Sequence, residues 1–130
     1  MTYLELKTLA AGLLTSDFPL PEEDDQIKAL LGMAYNYIID KCLIDTTLYS
    51  KTIIDELTKK DYLVKVPNLP SLDTDILEIG TELGYVAASL IASYLSERKM
   101  NLHLARATDA INSYNAKVVK TIEFLDNNKE

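Results

Sequence analysis

The stretch DTDILEIGTELGYVAASLIASYLSER, residues 73–98, carries the clearest helical signal in the chain. Its apolar residues recur at steps of three and four, which is the spacing of one face of an α-helix. Acidic residues open the stretch and Arg98 closes it, in keeping with the direction of the helix dipole. The pattern predicts a helix over 73–98 whose buried stripe is Ile76, Ile79, Leu83, Ala87, Leu90, Ile91, Tyr94 and Leu95.

Two further helical patterns flank this stretch. Residues 21–43 begin with Pro21 and a run of acids and then repeat apolar residues at helical spacing, which predicts a second long helix. Residues 102–125 carry a narrow apolar seam typical of helices packed side by side, which predicts a third. A short leading helix with Thr2 as its N-cap precedes them. The seam consists of Leu104, Ile111, Val118 and Leu125, with Ala107, Tyr114 or Asn115, and Ile122 between them.

The middle of the chain, residues 44–72, is ambiguous. Ser50 could cap a short helix. Residues 62–66 are rich in strand formers and favour one short strand, with 44–49 as a candidate antiparallel partner. The apolar residues of the alternative helix would be Ile53, Ile54 and Leu57.

The predicted fold class is therefore all-α, with a single helical domain over residues 1–130. We expect a helical bundle with two long antiparallel C-terminal helices and a short irregular or β-containing segment over 44–72. The polar end, residues 126–130, is predicted to be a flexible tail. The expected core consists of Leu30, Leu31, Ala34, Ile38, Leu83, Ala87, Leu90, Ile91, Ile111, Val118 and Ile122.

Composition and charge exclude several classes of protein. The chain has 130 residues, of which 48% are apolar, so it can form one globular core and is not disordered throughout. A single cysteine excludes a disulfide scaffold. The net charge of −7 disfavours a nucleic-acid binder that relies on phosphate contacts. The longest near-apolar stretch, 86–95, is too short to cross a bilayer, and the amino terminus lacks the basic region of a signal peptide.

No catalytic signature is visible, and the chain is not expected to be an enzyme. His103 is predicted to be an exposed or capping histidine at a helix start, and Cys42 a buried, inert thiol. The acidic residues at 22–25 and at 73–78 are better explained as helix starts than as a cation site. The sequence therefore predicts no catalytic residue, no metal site and no cofactor.

Gly80 and Gly84 lie four residues apart within the predicted helix over 73–98. A glycine inside a helix costs close to 1 kcal/mol relative to alanine, so we expect a compensating helix–helix close packing. The neighbour could be another helix of the same chain or another subunit.

Two stretches resemble the head-to-tail connector, or adaptor, proteins of tailed bacteriophages. They are EEDDQIKALLGMAYNYIIDKC, residues 22–42, and VPNLPSLDTDILEIGTELGYVAASLIASYLSERKMNLHLARATDAINSYNAKVV, residues 66–119. In the second stretch a proline-containing linker enters a helix rich in alanine and leucine. A short charged turn follows, and then a helix with an Ala-Arg pair, here Ala105 and Arg106.

The resemblance implies a structural virion protein without enzymatic activity, cofactor or membrane. Such adaptors form a homo-oligomeric ring, usually dodecameric, beneath the portal protein, and they bind a tail or nozzle protein on the other side. DNA passes through the ring without specific binding. The location implied is the portal vertex, or neck, of the virion, after synthesis in the cytoplasm of the bacterial host.

Four residues are candidates for partner binding. Phe124 and Leu125 form a hydrophobic pair just before the polar end, although the spacing of Leu125 also fits the seam. Tyr49 and Tyr62 lie in the irregular middle, and tyrosine is favoured at interfaces. The alternative function is a small acidic helical inhibitory or regulatory protein-binding module, for example a DNA mimic.

Overall fold

The computed structural model describes residues 1–14, 19–41, 50–55, 60–65, 67–96 and 99–127. The elements, in chain order, are helices α1 (Tyr3–Leu14) and α2 (Asp24–Lys41), strands β1 (Ser50–Asp55) and β2 (Lys60–Lys65), and helices α3 (Thr81–Leu95) and α4 (Met100–Asn127). The predicted mainly helical fold is confirmed.

Helix α3 is the centre of the bundle, and α1, α2 and α4 all pack against it. It is buried on most of its circumference, because the small size of Ala87, Ala88 and Ala92 allows neighbouring helices to approach closely.

Of the expected core, Leu30 is half-buried, and the side chains of residues 118 and 122 lie outside the described residues. The remaining expected core residues are buried, namely Leu31, Ala34, Ile38, Leu83, Ala87, Leu90, Ile91 and Ile111.

The leading helix begins as predicted. The Thr2 hydroxyl accepts a hydrogen bond from the Glu5 amide at 3.2 Å and donates one to the Glu5 carboxylate at 3.2 Å. The bond from the Glu5 amide makes Thr2 the N-cap of α1, and it satisfies an amide that the first turn leaves without an intrahelical partner.

Helix α4 folds back along α3. Ser96 is the C-cap of α3, and its hydroxyl accepts a hydrogen bond from the Lys99 amide at 2.9 Å. Farther along α4, Lys117 forms an ion pair of 2.9 Å with Glu82 in the first turn of α3. Helix α4 continues to Asn127, so residues 126 and 127, predicted to belong to a flexible tail, are helical. Residues 128–130 lie outside the described residues.

The ambiguous middle contains a β-hairpin. Strands β1 and β2 pair antiparallel, from Ser50 opposite Lys65 to Asp55 opposite Lys60. The prediction of a helix capped by Ser50 is therefore wrong, because the β-branched run Thr52-Ile53-Ile54 favours extended backbone. The strand predicted over 62–66 corresponds to β2. Its partner is β1, while 44–49 lies outside the described residues.

The helix predicted over 73–98 begins only at Thr81 and ends at Leu95. The pair of long helices predicted at the C-terminal end is therefore unequal, with 15 residues in α3 and 28 in α4. Ile76, which was expected on the buried stripe, is 76% exposed. The physical reason is the pairing of residues 73–77 with the amino terminus.

Candidate functional site: an amino-terminal groove and its polar anchor

The first residues of the chain pair with the segment before α3. The Tyr3 amide donates to the Asp75 carbonyl at 2.9 Å, the Leu4 amide to the Asp73 carbonyl at 3.0 Å, and the Leu77 amide to the Met1 carbonyl at 2.9 Å. These bonds satisfy backbone groups of both segments, including amides at the start of α1. Residues 73 and 74 lie in a turn and Ile76 forms an isolated β-bridge with Thr2, so the segment beside the amino terminus is not helical.

Two carboxylates shape the turn that leads into this pairing. One Asp75 oxygen accepts hydrogen bonds from the Ser71 and Leu72 amides, both at 2.9 Å. Glu78 accepts two hydrogen bonds from Asn68, one from its amide at 2.7 Å and one from its side chain at 3.1 Å. The interpretation of these acids as a helix start is wrong, because they bind the backbone and side chain of a loop instead. The Leu72 amide, followed by that of Ser71, lowers the pKa of Asp75.

A polar cluster anchors α1 to the start of α2 and to the same loop. The Tyr3 hydroxyl donates to Asp24 at 2.8 Å. Lys7 lies between two carboxylates, with its Nζ atom 2.6 Å from Asp73 and 3.4 Å from Asp24. It also lies 4.5 Å from the centre of the Tyr3 ring. Lys28 completes the cluster with an ion pair of 3.1 Å to Asp24.

The protonation states of this cluster are stabilised by its own contacts. Burial, and then the hydrogen bond to Asp24, raises the pKa of the Tyr3 hydroxyl, while that same bond lowers the pKa of Asp24. The hydrogen bond to Asp73 is the main cause that raises the pKa of Lys7. The pKa values of Tyr3, Lys7 and Asp24 are therefore all shifted away from neutral pH. A general acid or base needs a pKa near the pH at which it works. The cluster therefore fits a structural anchor.

Beside the anchor an open groove of about 390 Å³ lies between α1 and α3. Two of its apolar residues are largely accessible: Leu4 is 52% exposed and Tyr85 is 54% exposed. Glu5 is the one charged side chain in the lining of the groove. Its full lining is Met1, Leu4, Glu5, Thr8, Leu9 and Tyr85.

More apolar surface lies on the loop that pairs with the amino terminus. Leu72 is 63% exposed and Ile76 is 76% exposed, and Leu69 is 44% exposed. Ile76 forms an isolated β-bridge with Thr2. Leu72 precedes Asp73, whose carbonyl accepts a hydrogen bond from the Leu4 amide. We call these loop residues together with Leu4 and Tyr85 the amino-terminal apolar surface.

Gly80 and Gly84 do not form the paired close-packing site that their spacing predicts. Gly80 lies outside the helix as the N-cap of α3, and a Cβ atom there would meet no atom within 4 Å among the described residues. Gly84 is buried, and a Cβ atom there would lie 2.8 Å from the sulfur of Met1. The close approach at Gly84 is therefore to the amino-terminal residue of the same chain.

The four predicted partner-binding residues are not brought together by the described structure. Tyr62 lies in β2 opposite Ile53, and Tyr49 lies outside the described residues. Phe124 and Leu125 lie in the last two turns of α4, where the description covers the backbone. Their role in partner binding stays a prediction.

The prediction that His103 is an exposed or capping residue is also wrong. It is 2% exposed, rather than exposed or capping, and its side chain is among the largest fully buried ones. The signal was present in the spacing, because His103, Ala107 and Ile111 follow one another at steps of four on a buried face of α4. Cys42 lies outside the described residues.

Within the described ranges, no three or more histidine, cysteine, aspartate or glutamate side chains come together as a metal ion would require. None of the four described helices combines the length and the apolar character needed to cross a membrane. Comparison of the chain with known protein families, with curated proteins and with solved structures finds no match.

Proposed function

We propose that this chain is a head-to-tail connector of a tailed bacteriophage, a structural protein of the virion neck. In this proposal, copies of the chain form a ring, usually dodecameric in such adaptors, between the portal protein and a tail or nozzle protein. DNA passes through the ring without specific binding. The resemblance of residues 22–42 and 66–119 to these adaptors is the starting point.

The observation that carries the proposal is the amino-terminal apolar surface. Leu4, Tyr85, Leu72 and Ile76 are each more than half exposed. Leu4 and Tyr85 line one groove, and the loop that carries Leu72 and Ile76 pairs with the first residues of the chain. Large apolar side chains grouped on a surface mark sites of protein contact, since burying them on a partner is favourable. The polar anchor of Tyr3, Lys7 and Asp24 holds this surface on a rigid base, as an assembly protein requires.

The charge of the chain agrees with a channel for DNA. Each copy carries a net charge of −7, so a ring of copies is strongly acidic. An acidic ring repels phosphate and lets DNA slide without being held.

The alternative, an acidic inhibitor that mimics DNA, needs carboxylates arranged on the surface like phosphates. Several carboxylates of this chain are instead used internally. Asp24, Asp73 and Glu82 form ion pairs with lysines, and Asp75 and Glu78 accept hydrogen bonds from the loop at 68–72. This use of the acidic side chains favours the connector over the mimic.

The test is assembly with the portal protein of the same phage. Purified chain and portal are mixed, and complexes are measured by light scattering and by electron microscopy. We expect rings at the portal vertex for the wild type and a folded monomer that no longer attaches for Tyr85→Glu. The matched control is Asn112→Asp, which also adds one negative charge at an exposed position and should attach normally.

The predicted C-terminal anchor is tested separately. Phe124→Asp, or deletion of residues 124–130, is expected to leave a folded monomer that does not join the ring or the portal. Virus particles would then fill with DNA but fail to join tails. Complete, infectious virions with either change would contradict the anchor and leave the connector proposal standing.

The connector proposal itself has its own decisive outcomes. A gene beside portal and capsid genes would support it. Wild-type protein that is never found at a portal vertex would overturn it. A chain that stays monomeric and binds a non-virion protein would favour the inhibitory module.

A further inference from the structure

His103 is a buried titratable group that the proposed function does not use. It is the fourth residue of α4, and its side chain is 2% exposed. Neither ring nitrogen has a hydrogen-bond partner within the residues that the structure describes. A buried polar group without a partner is costly, and the same group carrying a charge is far more costly.

The charges around His103 oppose a second positive charge there. Lys99 lies one turn before it and Arg106 follows it on α4, and both act against protonation. The amino-terminal end of α4 adds the positive end of the helix dipole. From the C-terminal half of α3, the titratable side chain is Tyr94, whose pKa is raised further above its ordinary value by burial, so it carries no charge. No carboxylate of the described residues acts on the imidazole, and residues 97–98 lie outside the description.

His103 also lies directly after the turn that joins α3 to α4. The Ser96 amide donates a hydrogen bond to the Ala92 carbonyl at 2.9 Å, and the Ser96 hydroxyl accepts one from the Lys99 amide. The His103 amide then donates to the Lys99 carbonyl at 3.0 Å. A change at this side chain therefore acts on the first turns of α4, whereas the Lys117–Glu82 ion pair lies at the other end of α3.

We propose that His103 is a proton-sensitive latch: the neutral imidazole holds the first turns of α4 against α3, and its protonation releases them. This inference does not depend on the connector proposal. It concerns the α3–α4 junction, which is distant in sequence from the amino-terminal apolar surface.

The direction of the pH effect follows from burial. Burial, then Arg106 and Lys99, lowers the pKa of His103 in the folded chain below its ordinary value. The unfolded chain therefore binds a proton first as the pH falls below about 6.5. Folding stability is lost progressively from that pH downward, and the loss levels off below the folded pKa.

The first experiment uses the wild-type chain. His103 is the only histidine, so one imidazole proton signal in an NMR titration reports its pKa without ambiguity. We expect a midpoint below about 6.5. Hydrogen exchange, corrected for intrinsic rates, is expected to be faster at pH 5 than at pH 7 for amides 103–107, with α1 unchanged. A midpoint at or above 6.5, or unchanged exchange at 103–107, would overturn the latch.

The second experiment compares unfolding between pH 5 and pH 8 in wild type and His103→Leu. Between about pH 6.5 and the measured midpoint, the unfolding constant of the wild type should rise relative to the variant by up to about tenfold per pH unit. The control is Asn101→Leu, an exposed position on the same turn, which should keep the wild-type dependence. If His103→Leu does not fold, His103→Gln replaces it as a polar side chain that does not titrate. Parallel pH profiles for wild type and variant would contradict the proposal.

Discussion

Two acidic stretches of this chain have nearly the same sequence signals and different structures. Residues 22–25 and residues 73–78 each follow a pair of prolines and precede apolar residues. The first leads directly into α2, which begins at Asp24, whereas the second forms a loop and an extended segment before α3. Acidic residues after proline therefore do not by themselves define a helix start.

The apolar residues that follow explain the difference. After Asp25, the buried residues are spaced as one helical face, for example Ile27, Leu31 and Ile38. After Asp75, exposed and buried residues alternate, with Ile76 and Glu78 exposed and Leu77 and Ile79 buried. The alternation has the period of extended backbone, and the amino-terminal residues supply the hydrogen-bonding partner.

The largest expected effect concerns α3, the central helix of the bundle. Leu90→Ala in α3 should lower the free energy of unfolding by about 2–5 kcal/mol, because Leu90 is fully buried. Chemical denaturation measures the change. Thr81→Ala, at an exposed position of the same helix, is the control and should stay within about 0.5 kcal/mol. An unchanged midpoint for Leu90→Ala would refute its place in the core.

A matched pair of substitutions tests the extended segment directly. Leu77→Ala should cost about 2 kcal/mol, since Leu77 is buried at the edge of the core, whereas Ile76→Ala should cost less than about 0.5 kcal/mol. A helix over 73–98 would place Ile76 on the buried stripe and reverse the order. Denaturant unfolding of the two variants, measured side by side, decides between the two backbones.

The first acidic stretch is tested through its hydrogen bond to α1. Tyr3→Phe should lower the free energy of unfolding by about 1 kcal/mol, because it removes the hydroxyl that donates to Asp24. Tyr85→Phe makes the same chemical change on an exposed ring and should have almost no effect. Equal losses in the two variants would mean that the Tyr3 hydroxyl does not anchor α1.

The smallest expected effect concerns the loop carboxylate in the second stretch. The pKa of Asp75 is lowered in the folded chain, so its contribution is present above about pH 4 and is lost as the pH falls through the folded value. Thermal unfolding of Asp75→Asn should therefore depend less on acid than that of the wild type. Asp109→Asn, at an exposed site on α4, should retain the wild-type dependence, and a wild-type dependence in Asp75→Asn would contradict the loop assignment.

The comparison also shows how far sequence reasoning reached at the candidate site. The sequence indicated the apolar faces of α1, α2 and α3, but it did not indicate the amino-terminal groove. The groove depends on pairing between residues that are more than seventy positions apart, such as Tyr3 and Asp75. The spacing of Gly80 and Gly84 suggested a helix contact, yet only Gly84 lies within the helix. His103 was misjudged because histidine is intermediate in its preference for the interior, so its residue type did not indicate burial.

The sequence by itself determined the helical class, the capping of α1 by Thr2 and most of the core, because local spacing and end signals depend on nearby residues. Only the tertiary structure decided the backbone conformation of residues 73–80. The fragment Ile76-Leu77-Glu78-Ile79 has one apolar pair at helical spacing and another at strand spacing, so both backbones are locally permitted. The amino-terminal residues selected the extended form, because their amides and carbonyls needed partners that a longer α3 would not have offered.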